Sequence, residues 1–200
     1  MPTQTGEKTR SAILAEAAKL ATLEGLEGLS LAQLAGATKM SKSGLYAHFG
    51  SKEELQLATI EAARATFIEE VVRPGLEAPE GRARLLAVCE AFLSHVERKV
   101  FPGGCFFSAA AAEVGTRRGR VRDAVATQQR EWLDLLARLA REARDRDELP
   151  AGEDAEQLAF ELNAALVAAN TAFLLQGDRA GLDRARAAIA RRLGMARSRP

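Results

Sequence analysis

The chain has 200 residues, of which 47% are hydrophobic, and a formal net charge of +1. That length can bury a core in one or two small domains, the composition is too apolar for a disordered segment, and the near-neutral balance argues against a uniformly basic nucleic-acid binder. Two cysteines are too few for a disulfide framework, the polar first ten residues lack a signal-peptide core, and apolar stretches read as broken by charge before the ~18 residues of a membrane span, so a cytoplasmic protein without membrane association is expected.

No segment has the alternation of a strand. Alanine and leucine dominate, apolar residues recur at steps of three and four, and the prolines fall at ends or between periodic segments, so the chain is predicted to be all helical. A first helix is predicted over about 7–23, with Ile13, Ala17, Leu20 and Ala21 on one face and Gly25 as its stop signal. A short second helix follows Ser30, where Ser30 and Gln33 have capping-box spacing and Leu31 and Leu34 turn inward. A third short helix begins after Ser41. A fourth begins after Ser51, with Glu54 completing another capping box, and runs to about Arg73, where "RPGLEAPEG" interrupts the chain. Five more are predicted beyond the break, over about 80–99, 104–114, 118–147, 154–176 and 181–193.

Charge is unevenly placed. Five of the six lysines lie in the first 52 residues, which with Arg10 and four glutamates carry a formal +2; elsewhere the positive charge is almost all arginine. Two short helices joined by a tight turn and packed on a longer one form the pattern of a helix-turn-helix, whose second helix enters the DNA major groove. In "KMSKSGLYAHFGSKEEL" (residues 39–55), Leu45 and Phe49 fall together and point inward, while Ser43, Gly44, Tyr46 and Ala47 point outward with Lys42 and His48 at the flanks. That outer face is small enough for close approach to base edges. Tyr46, His48 and Lys42 offer polar or charged tips for phosphate oxygens. Lys52, in the first turn of the fourth helix, opposes the helix dipole unless an anion docks there.

The segment "LSLAQLAGATKMSKSGLYAHFGSKEEL" (residues 29–55) closely resembles the DNA-binding segment of the TetR/AcrR family of bacterial transcriptional regulators. The match covers about 9–57; the rest resembles the family only in its helical layout and in the phrase "PGGCFF". The resemblance implies a nine-helix, all-α TetR-like fold: a helix-turn-helix domain over residues 1–55, a fourth helix (52–73) that connects, and a ligand-binding and dimerisation domain over 56–200. It implies that Ser30, Ser41, Lys42, Tyr46, His48 and Lys52 contact mainly DNA backbone, while Ser43, Gly44 and Ala47 vary with operator sequence. The turn between the short helices, where the family usually has glycine, here carries Lys39. A left-handed lysine costs about 1 kcal/mol, which a phosphate contact would offset.

For the C-terminal part the resemblance implies a homodimer formed by the last two helices. Leu158, Leu162, Ala165, Ala169 and Phe173 supply one expected seam, and Leu182, Ala185 and Ile189 a second. The middle helices are expected to hold a small apolar or amphipathic effector, with Phe92, Phe106, Phe107, Trp132 and Phe160 as apolar candidates and His95, Asn163, Glu113 and Asn170 as polar ones. Each aromatic taken alone is more readily read as plain core. The expected function is a ligand-responsive regulator, most simply a repressor, that binds a palindromic DNA operator as a homodimer. It needs no cofactor and no metal. Two alternatives come from other classes: an all-helical enzyme using Cys105 and His95, and a helical protein-interaction module.

Overall fold

The computed structural model of the protein describes residues 4–195, except the side chains of Gln4, Thr5, Glu7, Lys8, Lys42 and Tyr46. Among the described residues there are nine helices and no strand. In chain order they are α1 (Gln4–Glu24), α2 (Leu31–Thr38), α3 (Lys42–Phe49), α4 (Lys52–Phe67), α5 (Arg82–Glu97), α6 (Phe106–Val114), α7 (Arg120–Asp145), α8 (Ala155–Gln176) and α9 (Ala180–Arg192). Helix α4 continues through a π turn at Ile68–Val72 into a last helical turn at Arg73–Leu76. Pro74 explains the π turn: a proline has no N–H to donate and its ring crowds the carbonyl four residues back, and a widened turn just before it relieves both. The helix therefore passes the proline and does not stop near Arg73.

Two compact units divide the chain, and the division is not linear: residues 1–66 group with 101–128, and 67–100 with 129–200. It differs from the expected single boundary after residue 55 because the segment 101–128 returns to pack with the N-terminal helices. Gly103 N–H donates to Thr22 Oγ1 (3.1 Å), and the Glu113 carboxylate accepts both Leu26 N–H (2.7 Å) and Glu27 N–H (2.8 Å).

The first unit is built around Ile13, Leu14 and Ala17 of α1, Leu29 in the following turn, Leu31 and Leu34 of α2, Leu45 and Phe49 of α3, and Leu55 of α4. Leu20 packs against this core while staying partly exposed. The second unit buries Leu85, Val88 and Leu93 of α5, Leu136 and Leu139 of α7, Leu158 and Leu162 of α8, and Leu182 and Ile189 of α9. Helices α8 and α9 approach closely because the second residue of α9 is glycine: a Cβ at Gly181 would fall 2.7 Å from that of Ala172. Asp154 caps α8, its carboxylate accepting Glu156 N–H and Gln157 N–H at 3.0 Å each.

Two expectations about α8 and α9 need correction. Leu158, Leu162, Ala169, Phe173, Leu182, Ala185 and Ile189 are buried within the single chain, and Ala165 is partly buried. This seam is where α8 and α9 meet the rest of their own unit, so it is not a face open to a second copy. Periodicity finds an apolar stripe but does not say what covers it. Charge also fails to interrupt every apolar stretch. From Leu162 to Gln176 there is no charged residue, and α8 is long and apolar enough to cross a membrane by length and composition, with 39% of its apolar window buried inside the protein. The helix is this apolar because its uncovered face also carries apolar residues.

Candidate nucleic-acid interface

The geometry of the N-terminal unit begins with its caps. Ser30 Oγ accepts Gln33 N–H (3.2 Å) at the start of α2, Ser41 Oγ accepts Gly44 N–H (3.1 Å) at the start of α3, and Ser51 Oγ accepts Glu54 N–H (3.1 Å) at the start of α4. Only half of each expected capping box forms, because the partner side chains turn elsewhere. Gln33 Oε1 accepts the Ser30 hydroxyl (3.0 Å), and the Glu54 carboxylate takes Arg120.

Between α2 and α3 the chain turns at Lys39, which is left-handed (φ 56°, ψ 28°) and closes α2, while Met40 N–H donates to Ala35 O (3.2 Å). Lysine thus keeps the conformation that glycine would adopt more easily. We expect Lys39→Gly to stabilise the unit by up to about 1 kcal/mol, less the entropy that glycine adds to the unfolded chain. Urea titration measures this, and a loss of more than that amount would mean the lysine side chain is itself stabilising.

Helix α3 buries Leu45 and Phe49 and leaves Ser43 and Ala47 exposed, with Gly44 and His48 half-buried. The small residue at position 44 has a local cause as well as an outward one: a Cβ there would meet Ser41 Oγ at 3.2 Å, crowding the hydroxyl that caps the helix. The Arg10 guanidinium lies over the Phe49 ring (5.2 Å), tying α1 to the end of α3. The side chains of Lys42 and Tyr46, which carry part of the expected phosphate clamp, lie outside the described residues.

Lys52 does not point freely to solvent. Its ammonium donates to Glu27 O (2.5 Å) and lies 3.6 Å from Glu27 Oε2, an oxygen that also holds Arg117 Nη1 at 3.1 Å. Gln56 Nε2 donates to Leu26 O (2.9 Å) and Glu27 Oε1 (3.3 Å). Burial pushes the Glu27 carboxyl up, but the Gln56 hydrogen bond and the Lys52 and Arg117 charges together hold it below its ordinary value. Glu27 therefore stays an anion beside Lys52. Sequence reasoning missed Glu27 and Arg117 and gave Glu113 a different role, that of a polar effector candidate. Only the arginine run at 117–122 was visible in the sequence, and nothing there says it returns to the turn after α1.

The effector candidates divide between the two units. In the second, Phe92, His95 and Trp132 gather around Phe67, whose ring meets theirs edge-on at 6.2, 6.1 and 5.2 Å. Trp132 Nε1 donates to Asn163 Oδ1 (3.0 Å). In the first, Phe106 packs against Phe107 (5.2 Å) and Phe101 (6.0 Å). Phe160 is a correction: it is 62% exposed on α8 and lines no interior space of its unit. Glu113 is another, since its carboxylate is spent on the backbone after α1.

Cys105 and His95 have the wrong electrostatics for a thiolate–imidazolium pair. Burial raises the Cys105 thiol despite hydrogen bonds with Ser108 and Phe107 that lower it. Burial drops His95 to about 4, with Glu70 opposing and Arg98 reinforcing the shift. The thiol stays protonated and the imidazole neutral.

Comparison with known proteins agrees with this geometry. Residues 13–59 match the family described as bacterial regulatory proteins, tetR family, and residues 81–189 match the tetracyclin repressor-like C-terminal domain. No curated protein matches the sequence. A TetR transcriptional regulator from Chloroflexus aurantiacus is 26% identical with a TM-score of 0.89, covering 96% of this chain and 97% of its own. CifR, a TetR-family regulator solved as a cysteine mutant with double-strand operator DNA, is 25% identical with a TM-score of 0.76, covering 92% and 95%. AibR, solved with isovaleryl coenzyme A and operator DNA, shares the fold at 23% identity with a TM-score of 0.75, covering 92% and 97%.

Proposed function

The chain belongs to the TetR family of bacterial regulatory proteins, and we propose that it is a ligand-responsive repressor that binds a palindromic operator as a homodimer. The observation that carries this is the α2–turn–α3 unit, held rigidly from behind by Leu34, Leu45 and Phe49, with the small residues Ser43 and Ala47 exposed on its outer side. Ser30, Lys39, Ser41, Lys42, Tyr46, His48 and Lys52 grip the sugar-phosphate backbone, and Ser43, Gly44 and Ala47 face the base edges. Residues 1–55 form the reading head, and the remainder serves effector binding and dimerisation.

One short helix reads few bases, so two copies are needed to read two half-sites. The dimer face we assign is the stripe that α8 leaves uncovered: Phe160, Ala164, Ala168, Thr171, Leu174 and Leu175 recur at steps of three and four and are all exposed. It replaces the buried seam expected from periodicity. The effector site we assign is the aromatic group around Trp132, with His95 and Asn163 supplying polar atoms in an otherwise apolar surrounding. An effector that favours a half-site spacing unlike the operator's must weaken DNA binding by the same factor by which DNA weakens effector binding.

A duplex titration across salt concentrations tests the reading. Affinity should fall steeply with salt. Lys42→Ala should lower affinity for every sequence and reduce the log–log salt slope by about 0.9, whereas Ala47→Ser should change which sequences are preferred. An unchanged slope for Lys42→Ala would remove Lys42 from the clamp.

A further inference from the structure

The end of the turn joining α6 to α7, together with the first three residues of α7, reads Arg117-Arg118-Gly119-Arg120-Val121-Arg122, four arginines in six residues with no acid among them. Within the N-terminal unit this turn lies against the first turn of α4. Arg117 shares Glu27 Oε2 with Lys52. Arg120 Nη1 meets Glu53 Oε2 (3.3 Å) and Glu54 Oε1 (2.5 Å), the two residues that follow Lys52. Arg122 pairs with its own neighbour, Asp123 (3.2 Å). Arg118 is exposed, and no ion pair or hydrogen bond of its guanidinium is recorded among the described residues. An open groove lined by Gly115, Thr116, Arg117, Arg118, Gly119, Arg122 and Asp123 lies alongside, its one acid, Asp123, already paired with Arg122.

We propose that this arginine turn is a second phosphate-gripping element of the DNA-binding surface, with Arg118 making the contact and Arg117 supplying field beside it. The proposal rests on the operator-binding reading above. Duplex DNA carries about one negative charge per 1.7 Å of axis. A cation on the same carboxylate oxygen as the clamp lysine is therefore within reach of phosphates next to the one that lysine holds. The acids have a positioning role: Glu53 and Glu54 anchor the turn through Arg120, and Glu27 sets Arg117 beside Lys52. Arg118 is left with its donors available, and the guanidinium fork matches phosphate oxygens in pairs. The turn would thus carry the footprint of the protein beyond the two short helices, using a segment far away in sequence.

Fluorescence anisotropy with the full chain tests this, using a labelled duplex recovered by selection from a random-sequence pool and a series of salt concentrations. Arg118→Gln should reduce the log–log salt slope by about 0.9, the release expected for one phosphate, with melting temperature and sequence preference unchanged. Arg118→Lys should keep the slope, because it keeps the charge. If Arg118→Gln leaves the slope at the wild-type value while Lys42→Ala reduces it, the arginine turn is not a phosphate contact and the operator reading stands. If Arg118→Lys loses as much slope as Arg118→Gln, charge is not the cause and the proposal fails. If the wild-type chain shows no salt-dependent duplex binding, the operator reading itself falls, and this proposal with it.

Discussion

Placing glutamate at Phe160 and Leu175 together should convert the protein to a monomer and weaken operator binding by about a thousand-fold, toward the non-specific level. The two side chains are 62% and 82% exposed, so the folded single chain has little to lose from the change. In the proposed dimer each glutamate would appear twice about the two-fold axis, removing apolar contact and burying four charges. A fully buried leucine or phenylalanine contributes about 1.5–3 kcal/mol, so four such losses exceed what most dimers of moderate affinity can absorb. Sedimentation velocity checks the mass and anisotropy checks the affinity. A variant that stays dimeric would place the interface elsewhere. One that becomes monomeric yet binds the palindrome at full strength would refute the paired-head reading.

Leu45→Ala should destabilise the N-terminal unit by about 2–5 kcal/mol, the range for a buried leucine whose surroundings collapse only partly. Leu45 has no exposed surface and is surrounded by core residues from α1, α2 and α4. Since whole domains are stable by only about 5–15 kcal/mol, the change approaches the stability available to a unit of this size. Operator binding should fall with the folded fraction and recover on cooling toward the temperature of maximum stability. Circular dichroism melts followed beside anisotropy measure both. A melting temperature within a degree of wild type would mean that the cavity refills, and that α3 is held by less than its burial implies.

The inward face of α3 was legible in the sequence because it depends only on helical periodicity: Leu45 and Phe49 are four residues apart and no other apolar side chain competes for that side. The three serine caps were legible for the same local reason, since a hydroxyl reaches the N–H groups of its own helix within one turn. The left-handed Lys39 was legible only as a question, and the structure answers it by keeping the turn. The buried seam of α8 and α9 misled because both faces of α8 are apolar. A stripe at three- and four-residue steps exists on each, and periodicity cannot say which meets the chain's own core.

The amino-acid sequence on its own determined the helices, their serine caps and the small outer face of α3, since these depend on side chains within one or two turns of each other. The clasp of Glu113 on the backbone after α1, the sharing of Glu27 by Lys52 and Arg117, and the exposure of Phe160 and Leu175 were decided only by tertiary structure. Each joins or separates residues tens of positions apart, and the free energy that selects such pairings belongs to the packed core as a whole and to no local segment.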